Sequence, residues 1–178
     1  MHTGKLGRLM RYAARFVIVF GAVAVAACTG VRRSTPLTAE QTVATANGVR
    51  AFAATVADDV TRRGPAAWRD HFADTPSFFM AAEGRLVFAN SDAATRGIQE
   101  LTHSIAKIEL RWGEPMVVDS LTPTFAMVAA PWHEILVDCA GHRVEENGYF
   151  TGLAELGPAD WRFRNAHWSV AGSPPSKP

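Results

Sequence analysis

The chain changes its hydrophobic period partway along, and this change restricts the folds open to it more than any other feature. Before Glu109, apolar residues recur at helical spacing, and from Glu109 onward short alternating stretches are separated by turns that contain Gly and Pro. The first pattern predicts helices and the second predicts consecutive antiparallel strands. Helices followed by such strands are typical of an α+β domain, in which one curved sheet packs on a helical layer.

Two helices are predicted before residue 76. Thr38 and Gln41 have the spacing of a capping box at the start of a long helix, which Gly64-Pro65 ends. A short second helix then carries Trp68 and Phe72 on one face. The buried face of the long helix is predicted to contain Val49, Phe52, Ala53, Val56 and Val60.

A hairpin and a third helix are predicted next. Residues 77–80 and 86–88 are apolar and aromatic around a polar turn at 81–85, and Asn90-Ser91-Asp92 supplies caps for the third helix. The apolar stripe of that helix is predicted to be Ile98, Leu101, Ile105 and Ile108. Four strands follow, at 108–112 continuing through 116–120, at 125–138, at 144–156 and at 161–170.

The N-terminal segment resembles the processing signal of a bacterial lipoprotein. Four basic residues precede an uncharged apolar stretch at 16–27, and the small residues Val25-Ala26-Ala27 stand before Cys28. Twelve helical residues cover about 18 Å, well short of the roughly 30 Å hydrocarbon core of a bilayer. The resemblance implies that Cys28 is lipidated and becomes the mature N-terminus. The alternative is ordinary secretion, because two A-x-A sites also lie in this stretch.

These patterns divide the chain into four parts and indicate where it resides. We expect a signal peptide at 1–27, a tether at 28–37, a folded domain at 38–170 and a disordered tail at 171–178. The protein is expected in the cell envelope, anchored by lipid and facing the periplasm from the outer membrane. That membrane is favoured because Thr29 is not the Asp of inner-membrane sorting; the alternative is a secreted protein.

Composition excludes several function classes. Residues 1–27 hold four of the 18 Lys and Arg and none of the 17 Asp and Glu, so the remainder carries a formal net charge of −3. A mildly acidic domain is a poor candidate for binding nucleic acid. With Cys28 lipidated, Cys139 has no disulfide partner, and we expect it to be a small buried residue near a strand end. No metal-ligand or cofactor motif is found, so neither a metal nor a cofactor is expected.

The end of the sequence resembles a known family. A Gly148-Tyr149-Phe150-Thr151 strand, a turn at 157–160 and the strand Trp161-Arg162-Phe163 through His167-Trp168-Ser169 are similar to the ending of SnoaL-like proteins, a branch of the nuclear transport factor two-like superfamily. The resemblance implies a cone in which three N-terminal helices pack on a strongly curved, mostly antiparallel sheet. It also implies a small-molecule pocket between the layers and, often, a homodimer formed through the sheet.

Strand alternation predicts which side chains enter that pocket. In the last strand, one face is predicted to carry Trp161, Phe163, Asn165, His167 and Ser169. The opposite face would carry Arg162, Arg164, Ala166 and Trp168. On the long central strand, Trp132 and Glu134 share a face opposite His133, unless Pro131 marks a bulge. The candidate ligand contacts are Asn165, His167, Trp132, Tyr149 and Trp112. The candidate catalytic residues are His167 and Glu134, while Trp68 and Trp161 are expected in the core.

Three functions remain open at this point. The isomerase residues of the superfamily are missing, because Phe78, Phe79 and Met80 stand where an acidic base is expected and Phe52 stands in place of a Tyr. The first hypothesis is a domain that binds a small apolar or amphipathic molecule. The second is an isomerase, dehydratase or hydrolase with a pocket His as base, and the third is a protein-interaction module with a vestigial pocket. An apolar outer sheet face that includes Trp168 would support a homodimer.

Overall fold

A computed structural model describes residues 36–172 of the chain. The signal segment, Cys28, almost all of the tether and most of the predicted tail lie outside the described residues. The helices are α1 (Ala39–Arg63), α2 (Trp68–His71) and α3 (Ser91–Ser104), with a 3-10 turn at Pro65–Ala67. The strands are β1 (Phe79–Ala82), β2 (Arg85–Phe88), β3 (Ile105–Trp112), β4 (Val117–Thr122), β5 (Phe125–Asp138), β6 (Arg143–Leu156) and β7 (Trp161–Val170).

Helix α1 begins and ends where its sequence predicts. The Gln41 backbone N–H donates to Thr38 Oγ1 at 3.1 Å, and the Thr38 N–H donates to Gln41 Oε1 at 2.9 Å, which completes the capping box. Gly64 follows the last turn with φ +73°, a conformation that a residue without Cβ adopts at little cost. The five residues of the predicted apolar stripe are all buried, so this face of α1 packs against the sheet as expected.

Helix α3 is shorter than its apolar stripe predicted. Asn90 caps it by accepting a 2.8 Å hydrogen bond from the Ala93 N–H, but the helix ends at Ser104. The prediction that Ile105 and Ile108 continue the helix is therefore wrong, since both lie in β3 opposite residues of β5. Two β-branched residues at helical spacing also satisfy a strand, and pairing with β5 decides the outcome.

The seven strands form one sheet, which confirms the α+β prediction. The order is β2-β1-β7-β6-β5-β3, with β4 also paired to β5, and every pairing is antiparallel except β1 with β7. The single continuous strand predicted through 108–120 is wrong. Strand β3 pairs with one half of β5, and β4 pairs with the other half. The strand is interrupted between them from Gly113, whose N–H donates to the Pro131 carbonyl at 2.8 Å. The three helices pack on this curved sheet.

Strand β7 contains a bulge that reverses the predicted alternation. Leu153 pairs with Asn165, but the next residue of β6, Ala154, pairs with Phe163, so Arg164 is an additional residue in β7. Trp161 and Phe163 are buried before the bulge, as predicted. Beyond the bulge, Ala166 is buried and His167 is exposed. The prediction that Asn165, His167 and Ser169 face inward is therefore wrong, and Trp168 faces inward instead.

Two further features concern expectations from the sequence. Cys139 is exposed rather than buried, because it lies in the turn after β5, where its thiol donates to the His103 carbonyl at 3.3 Å. Trp68 is buried together with Trp161, as expected. Of the three helices described, none combines the length and hydrophobicity that a membrane span requires.

Candidate functional site

A cavity of about 240 Å³ lies between α3 and the helix-facing side of the sheet. Eleven of its twelve lining residues are apolar, and the remaining one is Glu134. Four aromatic rings form part of the wall, namely Trp68, Phe72, Phe88 and Trp168. The other apolar residues come from β1, α3, β3 and β5. An apolar enclosure with a single polar group is the usual composition of a small-molecule site.

Several elements bring the aromatic walls together. Trp68 begins α2 and Phe72 directly follows it, and their rings stack with centroids 5.6 Å apart. Trp168 from β7 meets Trp68 edge-on at 5.5 Å. Phe88, the last residue of β2, lies against α3 at Gly97, where any Cβ would overlap the phenyl ring. The absence of a side chain at Gly97 lets α3 close this side of the cavity.

Glu134 lies on β5 in the cavity wall. Its neighbours across the sheet are Leu110 on β3 and Glu146 on β6, and its own strand continues with Leu136, another wall residue. Within the described part of the chain, its carboxyl group has no hydrogen-bond donor. Burial first, and the nearby charge of Glu146 second, raise the pKa of Glu134 to about 7. The prediction that Glu134 shares a face with Trp132, opposite His133, is confirmed, since β5 pairs with β6 in continuous register past Pro131.

The basic groups near this part of the sheet lie on its other face. His133 Nε2 lies 2.7 Å from Glu145 Oε1, and Arg143 lies 2.8 Å from the other oxygen of the same carboxylate. Hydrogen bonding to His133 first, and to Arg143 second, lowers the pKa of Glu145. Neighbouring carboxylates on β6 therefore have opposite environments: Glu145 is ion-paired and exposed, whereas Glu146 faces the same side as Glu134.

The structure does not place His167 in the cavity. It is exposed on the outer face of β7, in register with Thr151 of β6. Asn165 is also directed away, and its side-chain oxygen accepts a 3.0 Å hydrogen bond from the Leu153 N–H. The two catalytic candidates are therefore on opposite faces of the sheet, and only Glu134 lines the cavity.

The other predicted ligand contacts are also outside the cavity wall. Trp112 is part of the core, where its indole N–H donates to the Ala53 carbonyl at 2.7 Å. Trp132 is 4% exposed and packs edge-on against Trp168 at 5.3 Å. Its indole N–H has no acceptor within residues 36–172. Tyr149 is 42% exposed on the outer face of β6.

Sequence reasoning missed most of the wall. Trp168 was assigned to the outer face, because an unbroken alternation along β7 leaves no room for the bulge at Arg164. The polar Asn165 between Phe163 and Ala166 is the one local feature that could have indicated a break. Among residues 36–172, no three His, Cys, Asp or Glu side chains are grouped closely enough to hold a metal ion.

Comparison with known proteins gives structural likeness without sequence likeness. No protein-family model matches the chain, and no curated protein matches its sequence. A nuclear transport factor 2-like superfamily protein from Salmonella enterica serovar Typhimurium superposes with a TM-score of 0.61 at 12% identity, over 74% of this chain and 93% of that protein.

Two proteins from Novosphingobium aromaticivorans are similar to the same extent. One is provisionally assigned as a scytalone dehydratase, with a TM-score of 0.64, 10% identity and coverage of 76% of this chain and 89% of that one. The other is provisionally assigned as an aromatic ring hydroxylase, with a TM-score of 0.63, 11% identity and coverage of 79% and 94%. At such identities the likeness concerns the fold and not the activity. The described domain has the cone fold of the nuclear transport factor 2-like proteins.

Proposed function

We propose that this domain binds a small, predominantly apolar molecule in the cavity between α3 and the sheet. The observation that carries the proposal is the wall itself, in which Glu134 is the only polar residue among twelve. An apolar cavity of this size gains little from water and favours an apolar occupant. Its volume of about 240 Å³ indicates a ligand smaller than most drug-sized molecules.

The position of Glu134 favours an enzyme as the second candidate. A carboxyl group with a pKa of about 7 is suited to accept and return a proton near neutral pH. His167 is not available as the base, because it lies on the other face of β7. An isomerase, dehydratase or hydrolase of this kind would therefore use Glu134, and not a histidine, as its base. The third hypothesis is an interaction module whose pocket is filled by its own aromatic side chains. The cavity of about 240 Å³ disfavours it, because that space is not filled.

Binding can be tested with a neutral probe and two matched variants. Ala82 lines the cavity, whereas its neighbour Ala81 pairs with the exposed His167 on the other face. Calorimetric titration should show saturable binding of 1-naphthylmethanol to the wild type and to Ala81→Phe. Ala82→Phe should abolish it, because the new ring occupies the cavity. Absence of binding to the wild type, or equal binding to Ala82→Phe, would contradict the proposal.

We also propose that the domain is anchored to a membrane through Cys28. Support comes from the sequence, in which Cys28 follows small residues after a basic and apolar segment. Several acyl chains would hold a protein firmly, because each buried CH₂ contributes about 0.8 kcal/mol. Full-length protein in a bacterial host should incorporate a fatty-acid analogue and sediment with membranes, and Cys28→Ala should do neither. Unchanged labelling of Cys28→Ala would refute the anchor.

We also propose a homodimer through the outer sheet face, but with other contact residues than the sequence predicts. Trp168 cannot contribute, because it faces inward. Val117 and Met127 are 53% and 40% exposed at outward positions of β4 and β5, and Tyr149 is exposed on β6. An apolar patch on a sheet face is typical of an interface. Sedimentation should show a dimer at tens of micromolar, and Met127→Lys should shift it toward the monomer; a monomeric wild type would contradict the proposal.

A further inference from the structure

We infer that the cavity selects an amphipathic cation, namely an amine whose charged nitrogen lies at Glu134 while its apolar part fills the space beside Trp68 and Trp168. The inference rests on the proposed binding function and specifies the chemical class of the ligand. Three observations lead to it, and they concern the Glu134 carboxyl group, the charges on the same face of the sheet and the aromatic wall.

The first observation is that the Glu134 carboxyl group has no hydrogen-bond partner among the residues that the structure describes. No N–H or O–H group among residues 36–172 donates to it, although it is half-buried in an apolar wall. Removing a carboxylate from water without a compensating partner is costly. A ligand that brings its own donor removes that cost, and a charged donor forms a stronger hydrogen bond than a neutral one.

The second observation is the sign of the charge on this face. Glu146 lies directly across from Glu134 on β6, and like charges at opposed positions destabilise a sheet. Nearby basic residues do not relieve the repulsion, because Arg111 on β3 and His133 on β5 itself occupy the alternate positions that face the other side. An anionic ligand would add a third negative charge, whereas a cation would be attracted by both carboxylates.

The third observation is the aromatic wall. The Trp68 and Trp168 rings meet at an interplanar angle of 84°, and Phe72 and Phe88 complete the same enclosure. Aromatic rings attract cations as well as apolar groups, and tryptophan does so most strongly. The combination of carboxylate and indole favours an ammonium group over a neutral polar group of the same size.

Three probes with one apolar body test the inference at about pH 8, which lies above the raised pKa of about 7 of Glu134. They are 1-naphthylmethylamine, 1-naphthylmethanol and 1-naphthoate, each titrated calorimetrically into the intact protein. The amine should bind about tenfold more tightly than the alcohol, a difference of about 1.4 kcal/mol, because both can donate to the carboxylate but only the amine adds an attraction between opposite charges. The carboxylate should bind most weakly. Equal binding of amine and alcohol would overturn the inference.

Variants show whether Glu134 is the source of the preference. Glu134→Gln should bring the amine to the affinity of the alcohol while leaving the alcohol almost unaffected. Glu145→Gln is the matched control, because that carboxylate lies on the other face, and it should retain the preference. Glu146→Gln should reduce the preference without removing it, and it provides a second reading where Glu134→Gln folds poorly. A preference of wild-type size in Glu134→Gln, or in Glu146→Gln where Glu134→Gln folds poorly, would overturn the inference.

The alcohol separates the two proposals. When the alcohol binds and the amine has no advantage, the cavity binds apolar molecules and only the choice of a cation is wrong. When the alcohol does not bind to the wild type at all, the proposed binding function fails, whatever the amine does.

Discussion

The Leu153 N–H donates a 3.0 Å hydrogen bond to the side-chain oxygen of Asn165, at the point where β6 and β7 shift register. The additional residue Arg164 interrupts the backbone ladder there, and the Asn165 side chain supplies the acceptor that the ladder lacks. Beyond this contact, Trp168 rather than His167 faces the helices. The Asn165 side chain therefore supports the register shift that brings Trp168 into the cavity wall.

Asn165→Ala should destabilise the domain by about 1 kcal/mol, because it removes the acceptor of a half-buried N–H. Asn165→Asp is the matched control, since its carboxylate can accept the same hydrogen bond. Urea unfolding of both variants and the wild type measures the difference. Equal loss of stability in the two variants would show that the acceptor is not what matters at this position.

The two core tryptophans should respond differently to removal of the indole nitrogen. Trp112→Phe loses the 2.7 Å hydrogen bond to the Ala53 carbonyl, whereas Trp132→Phe removes a buried N–H that has no acceptor in the described part of the chain. Both changes also reduce packing, so the difference between them isolates the hydrogen bond. Chemical denaturation should show Trp112→Phe to be less stable than Trp132→Phe by about 1 kcal/mol. A reversed order would contradict the assigned roles.

Glu134 should make the ligand-free domain less stable as pH rises. Its pKa is raised to about 7 in the folded state from 4.5, so its contribution is fully present below pH 4.5 and is lost as pH rises through 7. The loss amounts to about 3 kcal/mol between those limits. Glu134→Gln does not titrate and should be relatively more stable above pH 7, as measured by denaturation at a series of pH values. A wild type and Glu134→Gln with parallel pH profiles would contradict the prediction.

His71 should make the domain sensitive to acid. It is 6% exposed, and its Nε2 lies 3.2 Å from Asp59 Oδ2 at an angle that is poor for a hydrogen bond. Burial lowers the pKa of His71, and the charge of Asp59 offsets this only in part. Its stabilising contribution is therefore present above the unfolded pKa of 6.5 and is lost as pH falls through the folded value.

His71→Gln tests this acid sensitivity, because glutamine keeps a polar side chain but does not titrate. Thermal unfolding of the variant should depend less on pH below 6.5 than that of the wild type. His142→Gln is the control, since that histidine is exposed beside Asp138. An identical acid dependence in wild type and His71→Gln would contradict the assignment.

Local patterns were sufficient for the element types and for one site residue. The α1 helix follows from its period and its capping box, because both depend on residues within a few positions of each other. Alternation along β5 correctly predicts that Glu134 and Trp132 share a face, because β5 runs without a bulge from Trp132 to Leu136. The α+β class followed in the same way, since helical and strand periods are read from neighbours along the chain.

Pairing between strands that are distant in the sequence determined which side chains face the helices and where α3 ends. Whether His167 or Trp168 faces the helices depends on one additional residue in β7, which is defined by the partner strand β6 and not by the local pattern. Ile105 and Ile108 lie in β3 and not in α3, because they form backbone pairs with β5. The cavity walls come from seven helices and strands between Trp68 and Trp168. Their meeting is a property of packing, which no single segment encodes.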